Sequence, residues 1–442
     1  MTFIKSLYLR RRLFVALGGV AVLYVLGYFA PVLAAAADVA AVGVVLLLLL
    51  DVVLLFRTAG VAARRVAPDR LSNGDANALA VYVENGYPFE LHAEVLEELP
   101  VQLQARDARF RLRLGPGASQ AVRYTVRPVT RGAYAFGAVN VYAGTRLGLA
   151  SRRYRFDDGR VVPVYPSFLQ MRRYELLAIS NRLDEVGVKK VRRVGHTMEF
   201  DHVREYVVGD DVRAVNWKAS ARRGALMVNQ HRDERAQPVY CLVDTGRVMK
   251  MPFEGMTLLD HSVNASLVLA NIALLKQDRA GLVTFAHEIG ATVPAERRGG
   301  QLRAIMEGLY DVRTDFLESD YERLYGHLRR VLRRRSLLLL FTNFETRSSM
   351  QRRLPQLRAL ARQHVLVVVF FENTELRALL DAPPADTEQI YVKAVAEQFA
   401  VEKREIVAEL NRHGIHAVLT PPEELSAAAI NKYLELKARG MA

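Results

Sequence analysis

Two long apolar runs open the chain, and they constrain it more than anything that follows. Leu13 to Val32 is 20 residues without a charge, and Ala34 to Phe56 is 23 residues interrupted only by Asp38 and Asp51. Each is long enough to cross ~30 Å of hydrocarbon at ~1.5 Å per residue. Pro31 lies between them, so residues 1–57 are expected to form a tight transmembrane hairpin. Lys5, Arg10, Arg11 and Arg12 precede the first run, and Arg57, Arg64, Arg65 and Arg70 follow the second. Basic flanks stay cytoplasmic. The expectation is a multi-pass protein of the cytoplasmic membrane, with everything after residue 57 facing the cytoplasm. A secretory signal would share the basic start and the small-residue run Ala34 to Ala37, but the apolar stretch is too long for one. Asp38 and Asp51 sit near the two ends of the second run and about 140° apart around a helix, so they do not make one proton relay. Each is expected to reach water or make one helix contact.

The 442 residues leave room for two or three domains beyond that hairpin. A formal charge of +14 suggests a nucleic-acid binder until it is placed. Residues 1–70 hold eight Lys/Arg against three Asp, leaving only +9 for the remainder. Basic residues are not interleaved with aromatics, so no nucleic-acid partner is expected. The single cysteine, Cys241, excludes an intramolecular disulfide and a cysteine zinc site.

After a basic linker the apolar period becomes two. Ala78–Glu84, Glu90–Glu94, Ala108–Leu114, Gln120–Val126, Ala133–Val141 and Arg152–Phe156 read as short strands, separated by Asn85-Gly86, Gly115-Pro116-Gly117 and Asp158-Gly159 turns. Their spacing predicts a small antiparallel β-sandwich over residues 66–165. Residues 166–237 read as a linker. From Pro238 to residue 440, nearly continuous apolar strands (Val239–Val243, Gly281–Phe285, Leu337–Phe341, Val365–Phe371, Ile415–Leu419) alternate with helices. That pattern predicts a doubly wound, mostly parallel α/β sheet covered on both faces, with ligands outside the carboxyl ends of its strands. Asp244 follows the first of these strands.

The linker carries the densest cluster of unusual residues. It reads Gly195-His196-Thr197-Met198-Glu199-Phe200, Arg204-Glu205-Tyr206, Gly209-Asp210-Asp211-Val212-Arg213-Ala214-Val215-Asn216-Trp217 and Ser220-Ala221-Arg222. Asp210 or Asp211 is expected to cap a short helix from Val212, which Gly224 ends. Arg204, Arg213 and Arg222 set against Glu199, Glu205, Asp210 and Asp211, with the lone tryptophan Trp217, fit either an internal ion-pair network or a docking surface.

These GxxxEF, REY, GDDxRxxNW and SAR elements, followed by Glu234-Arg235 and by Asp244 to Met249 (DTGRVM), resemble the bacterial family called domain of unknown function 58. Arg131-Gly132, Leu147-Gly148-Leu149, Val164-Tyr165-Pro166, the FTNFE segment and the terminal NKYLELKARG are similar to that family as well. The resemblance implies a membrane-anchored protein with a von Willebrand factor A-like domain, commonly encoded beside a MoxR-type AAA+ ATPase and often near transglutaminase-like proteins. It implies no defined activity. The family-motif positions taken as a candidate docking surface are Glu199, Phe200, Arg204, Tyr206, Gly209, Asp210, Asp211, Arg213, Asn216, Trp217, Ser220 and Arg222.

Metal-binding members of the wider A-domain fold are known by DxSxS after the first strand, with a later threonine and aspartate. Here Gly246 and Val248 stand at the hydroxyl positions and Asn343 at the later acidic one, while Arg247 adds a repelling cation. Mg²⁺ wants hard oxygen ligands with carboxylate charge, so Asp244 reads as a degenerate metal-site position that caps the next helix or pairs with Arg247. No metal and no cofactor are expected. Phosphate loops, HExxH pairs and GxSxG elbows are lacking in the sequence. The arginines Arg329 to Arg335 suit a helix carboxyl end or contact with anionic lipid. The sequence therefore points to a non-enzymatic membrane scaffold that works with a MoxR-type ATPase and other membrane proteins at the bilayer, in envelope assembly or remodelling. The alternative is a metal-dependent adhesion module or a hydrolase.

Overall fold

The structure is a computed structural model. It describes all residues except 1–4, 59, 105–107, 158, 180–181, 183–184, 186, 189–198, 209, 211, 233–235, 315, 384–385 and 442, and only the backbone of 199–201, 213 and 230–232. The chain divides into two compact units, Met1–Tyr165 and Pro166–Ala442.

In the first unit, β1 (Leu7–Leu9) leads into α1 (Arg11–Gly27) and α2 (Pro31–Phe56). α2 is long and apolar enough to cross a membrane, and Pro31 opens it where its missing N–H costs nothing. The two helices run antiparallel: a Cβ at Gly27 would meet the Ala34 backbone, and Tyr24 Oη donates to Asp38 Oδ1 at 2.6 Å. Strands β2 (Val61–Val66), β4 (Asn77–Asn85) and β7 (Ser119–Val126) form one sheet. β5 (Leu91–Glu97), β6 (Arg109–Leu114), β9 (Val139–Gly144) and β10 (Ala150–Phe156) form another in the order β1-β10-β9-β5-β6. β3 (Leu71–Ser72), β8 (Gly132–Ala135) and β11 (Val161–Tyr165) make a third, mixed sheet. β4 and β5 bury every second residue, so Val81, Val83, Leu91, Ala93 and Val95 share one core with Val139, Val141 and the end of α2 at Leu55.

Three features depart from the sequence reading. The basic linker is partly strand, because β2 pairs with β4 along its whole length. Ala133–Val141 is two strands in different sheets, since Gly137 packs against Glu98, whose carboxylate accepts the Ala138 N–H and the Asn140 amide at the crossover. Asp51, expected to reach water or touch a helix, is fully buried against the β9–β10 turn. It accepts the N–H groups of Leu149 (2.9 Å) and Ala150 (2.8 Å) and the hydroxyl of Thr145.

The second unit is built on a six-stranded sheet of β14 (Pro238–Asp244), β17 (Arg279–Phe285), β18 (Ile289–Glu296), β19 (Leu337–Phe341), β20 (Val365–Phe371) and β21 (His416–Thr420), in the order β18-β17-β14-β19-β20-β21. All neighbours are parallel except the edge pair β17–β18. The half-buried alternation of β18 marks an edge strand that the sequence reading missed. α5 (Leu258–Leu275) is apolar enough for a membrane but lies buried in the core, with Val263, Leu267 and Leu269 fully covered. β15 (Pro252–Phe253) and β16 (Met256–Thr257) pair just before it, and α6 (Gln301–Tyr310), α7 (Tyr321–Val331) and α8 (Arg347–Gln363) follow it in the chain. Residues 166–237 are more than a linker. α3 (Phe168–Ile179) sends Met171 and Tyr174 into this core, and β12 (Glu199–Glu205) pairs antiparallel with β13 (Met227–Arg232). The chain runs from central β14 out to β17 and β18, then returns to β19 on the other side, so the winding direction switches between β14 and β19. Ligands bind at such a crevice.

Candidate functional site

The motif segment folds as the β12–β13 hairpin with a short helix, α4 (Trp217–Arg223), packed across it. Asn216 holds this arrangement together. Its Oδ1 accepts the Ala219 N–H at 3.0 Å as the helix cap, its Nδ2 donates to Asn229 Oδ1 at 2.8 Å, and its N–H reaches Met227 O. Ser220 Oγ donates to Asn216 O and accepts the Met227 N–H, each at 2.8 Å, tying the helix to β13. Gly224 ends α4 in the left-handed conformation (φ 70°), as expected. The cap differs from expectation. Asp210 lies in the preceding turn, accepting from Arg204 Nη2 at 2.6 Å and from the Val207 N–H at 2.9 Å, and these donors hold its carboxyl below the usual aspartate range. An Asn one residue before the helix satisfies the first turn instead.

The segment between the two strands carries an exposed apolar patch. Trp217 is 68% exposed and Val208 96%, with Val207, Val212 and Leu226 also exposed. Lys218, Arg222 and Arg223 surround them in water, and Arg222 has no ion-pair partner among the described residues. Tyr206 is half-buried, its N–H bound to Leu226 O. Glu199 and Phe200 lie on β12 with only their backbone described, as does Arg213 in the turn before α4. Gly209 and Asp211, like Gly195, His196, Glu234 and Arg235, lie outside the described residues.

At the switch crevice, Asp244 is fully buried and neither caps a helix nor touches Arg247, which pairs with Glu318 at 3.3 Å. Asp244 Oδ1 accepts the Gly246 N–H (2.9 Å) and the Ser319 hydroxyl, and Oδ2 accepts Thr342 Oγ1 (2.6 Å) and Tyr321 Oη (3.2 Å). A Cβ at position 246 would collide with Ser319 Oγ, so the glycine is what lets that hydroxyl approach. Burial pushes the Asp244 carboxyl above its ordinary range, against the downward pull of the two hydroxyls and the N–H. Ser319, Tyr321 and Thr342 come from segments more than 70 residues away in the chain, which is why spacing near Asp244 did not reveal them. Asn343 turns the other way, accepting at Oδ1 from Lys403.

Residues 202–407 match the family described as "Protein of unknown function DUF58". "Uncharacterized protein YeaD" of Bacillus subtilis is 30% identical over 215 residues, which is 47% of this chain and 52% of that protein. The chain thus spans about half the length of the curated relative it matches. Among solved structures, a "conserved hypothetical protein BatB" from Bacteroides thetaiotaomicron is 12% identical over 46% of this chain and 100% of its own, at a TM-score of 0.32. Proximal thread matrix protein 1 from the mussel byssus is 11% identical over 47% of this chain and 48% of its own, at 0.27. Likenesses at these scores carry no functional argument.

Proposed function

We propose that the chain is a non-enzymatic scaffold held in the cytoplasmic membrane by a two-helix hairpin. Its α/β unit, of the von Willebrand factor A-like type, faces the cytoplasm and docks a MoxR-type AAA+ ATPase, coupling it to other membrane proteins in envelope assembly or remodelling. The observation that carries this reading is Trp217. A tryptophan two-thirds exposed on a backbone locked by Asn216 and Ser220 adds little to the fold, whereas exposed aromatic and arginine side chains are the usual anchors of protein interfaces. Val207, Val208 and Leu226 extend the patch, and Arg222 supplies a cation at its margin.

Two features support the hairpin anchor. β1 precedes α1 yet pairs with β10, which follows α2, so both ends of the hairpin belong on one side. Apolar side chains of α1 and α2, Phe14, Val25, Val39 and Leu46 among them, are exposed, which suits a lipid-facing surface. Affinity capture from native membranes tests the reading. Wild-type chain should retain the ATPase, and Trp217→Ala or Arg222→Ala should release it; capture unaffected by both substitutions would overturn it.

The metal-dependent adhesion reading draws on one observation, the Ser319 and Thr342 oxygens beside Asp244. Both Asp244 oxygens already take two donors each, which fills the lone-pair capacity of a carboxylate.

A further inference from the structure

A cavity of about 700 Å³ opens beside the carboxyl ends of β19, β20 and β21, with Asn343, Phe371 and Leu419 at its floor. Its outer walls come from α9 (Thr374–Asp381) and α10 (Thr387–Arg412). That volume falls in the range of small-molecule sites, which are mostly apolar with a few placed polar groups. The lining fits this description: Phe253, Leu258, Leu376, Leu380 and Phe399 supply apolar wall.

The placed polar group is Lys403. Along α10, Val392, Val395, Phe399, Lys403, Ile406 and Leu410 fall at the three- and four-residue spacing of one helix face. Ile406 and Leu410 are buried in the core, so a lysine interrupts an otherwise apolar stripe on its inward side. Lys403 Nζ donates to Asn343 Oδ1 at 2.9 Å and to Phe344 O. An ammonium carries three donors, and no carboxylate lies within 4.0 Å of this one among the described residues. The Phe370 ring lies 5.7 Å from Nζ, and Glu345 and Glu402 act on the ammonium from beyond ion-pair distance; a cation on a cavity wall with two hydrogen bonds and no direct ion pair is a site for an anion. The stripe beyond it, Val392, Val395 and Phe399, emerges from the core still exposed, which gives an apolar track leading away from the charge.

We propose that this cavity binds an aliphatic monocarboxylate, its carboxylate on Lys403 Nζ and its chain laid along Phe399, Leu376 and Leu380. The charges around the mouth select a single negative group. Glu345, Glu372, Glu375 and Asp381 line the cavity beside Arg377, Arg404 and Lys403, and Arg377 is engaged with Glu372 at 3.7 Å. Acidic groups outnumber basic ones there, so nucleotides and other polyanions are repelled. Burial pushes the Lys403 ammonium down to about 8, and a bound carboxylate would restore it.

The test uses the full chain in lipid nanodiscs with a diazirine-bearing decanoate, labelled by light and mapped by mass spectrometry. The apolar hairpin takes up any lipophilic probe and serves as the internal reference. Labelling of residues 371–381 and 399–404 should be suppressed by excess decanoate and not by decanol. Lys403→Gln should lower it about tenfold, the worth of one charge-assisted hydrogen bond. Ala400→Phe, which fills the cavity while keeping the lysine, should abolish it, and Lys403→Arg should retain most of it. Cavity labelling no higher than that of solvent-exposed helices, equal competition by decanol, or a Lys403→Gln variant that folds and labels as wild type would overturn the assignment. None of these outcomes depends on ATPase docking.

Discussion

Trp217 and Asn216 are adjacent in sequence and opposite in role, and substitution separates them. Trp217→Ala removes a side chain that is 68% exposed, so melting should change by less than ~0.5 kcal/mol while partner capture falls. Asn216→Ala removes the cap of α4 and the bond to Asn229, costing ~1–2 kcal/mol whatever the partner does. A Trp217→Ala chain that melts early would return the tryptophan to a packing role. Asp244 gives a second contrast. Asp244→Ala takes the acceptor from the Gly246 N–H and the Ser319 hydroxyl and leaves the mutually bonded Tyr321 and Thr342 hydroxyls one acceptor short, so it should cost several kcal/mol, since each buried unsatisfied group costs ~1–3 kcal/mol. Mg²⁺ should not raise the melting temperature, although a ligand at ~100 times its dissociation constant adds ~2.7 kcal/mol. A millimolar Mg²⁺ shift that vanishes in Asp244→Ala would reinstate the metal. The aspartate was legible in the sequence and its partners were not, because the hydroxyls arrive from other loops. Lys403 is legible as a charge in an apolar stripe, but the loops that shape its cavity carry no such period. Its folded value of about 8 lies below the ordinary 10.5, so between these the unfolded chain holds a proton that the folded one has released. Stability therefore rises with pH across that window, and the penalty is fully present below it. From about pH 7.5 to about pH 10, wild type should gain on Lys403→Gln by up to ~3 kcal/mol in denaturant titrations; a loss would contradict the buried, cavity-facing placement.

Elements with one strong period were legible, and those whose partners are remote were not. β19 and β20 occupy the predicted spans because a fully buried parallel strand is apolar at every position. β3 is two residues long and β12–β13 is a polar hairpin, so neither carries a period to read. The base of the helical hairpin shows how far such remote contacts reach. Asp51 near the end of α2 takes two N–H groups and a hydroxyl from the β9–β10 turn, while Arg152 Nη1 and Tyr87 Oη donate to Leu55 O at the carboxyl end of the helix. Arg10 and Arg12, read as orienting charges, also donate to backbone carbonyls of His92, Arg146 and Leu147. The joint between α2 and the β-sheets is therefore rigid. Asp51→Ala leaves those donors buried without an acceptor and should destabilise the first unit by ~3 kcal/mol or more, since each hydrogen bond to a charge is worth ~1.5–3 kcal/mol. Limited proteolysis should then cut near residues 145–150 in the variant first; an unchanged cleavage pattern would mean that the joint is held without Asp51.

For the whole molecule the deciding question is how many times the chain crosses the bilayer. α2 alone, at 26 residues and about 39 Å, is long enough to span. With a single crossing, residues 7–9 would stand on the side opposite to residues 150–152. β1 pairs with β10 across those same positions, Leu7 with Arg152 and Leu9 with Ala150, so the fold requires an even number of crossings between them. In the proposed hairpin the second crossing falls to α1, whose 17 residues are joined to α2 by Tyr28–Ala30. On the proposed hairpin, the arginines on both flanks would set the direction, since basic flanks stay cytoplasmic. A reporter fused after Ala442 should behave as cytoplasmic, one placed at Pro31 should behave as external, and a reporter before Leu7 should match the first. Deleting Arg11–Gly27 while keeping α2 should strand β1 across the membrane and unfold the sheet that it edges. A carboxyl-terminal reporter active outside the membrane, or a deletion that leaves that sheet intact, would remove the hairpin and with it the cytoplasmic placement on which ATPase docking depends.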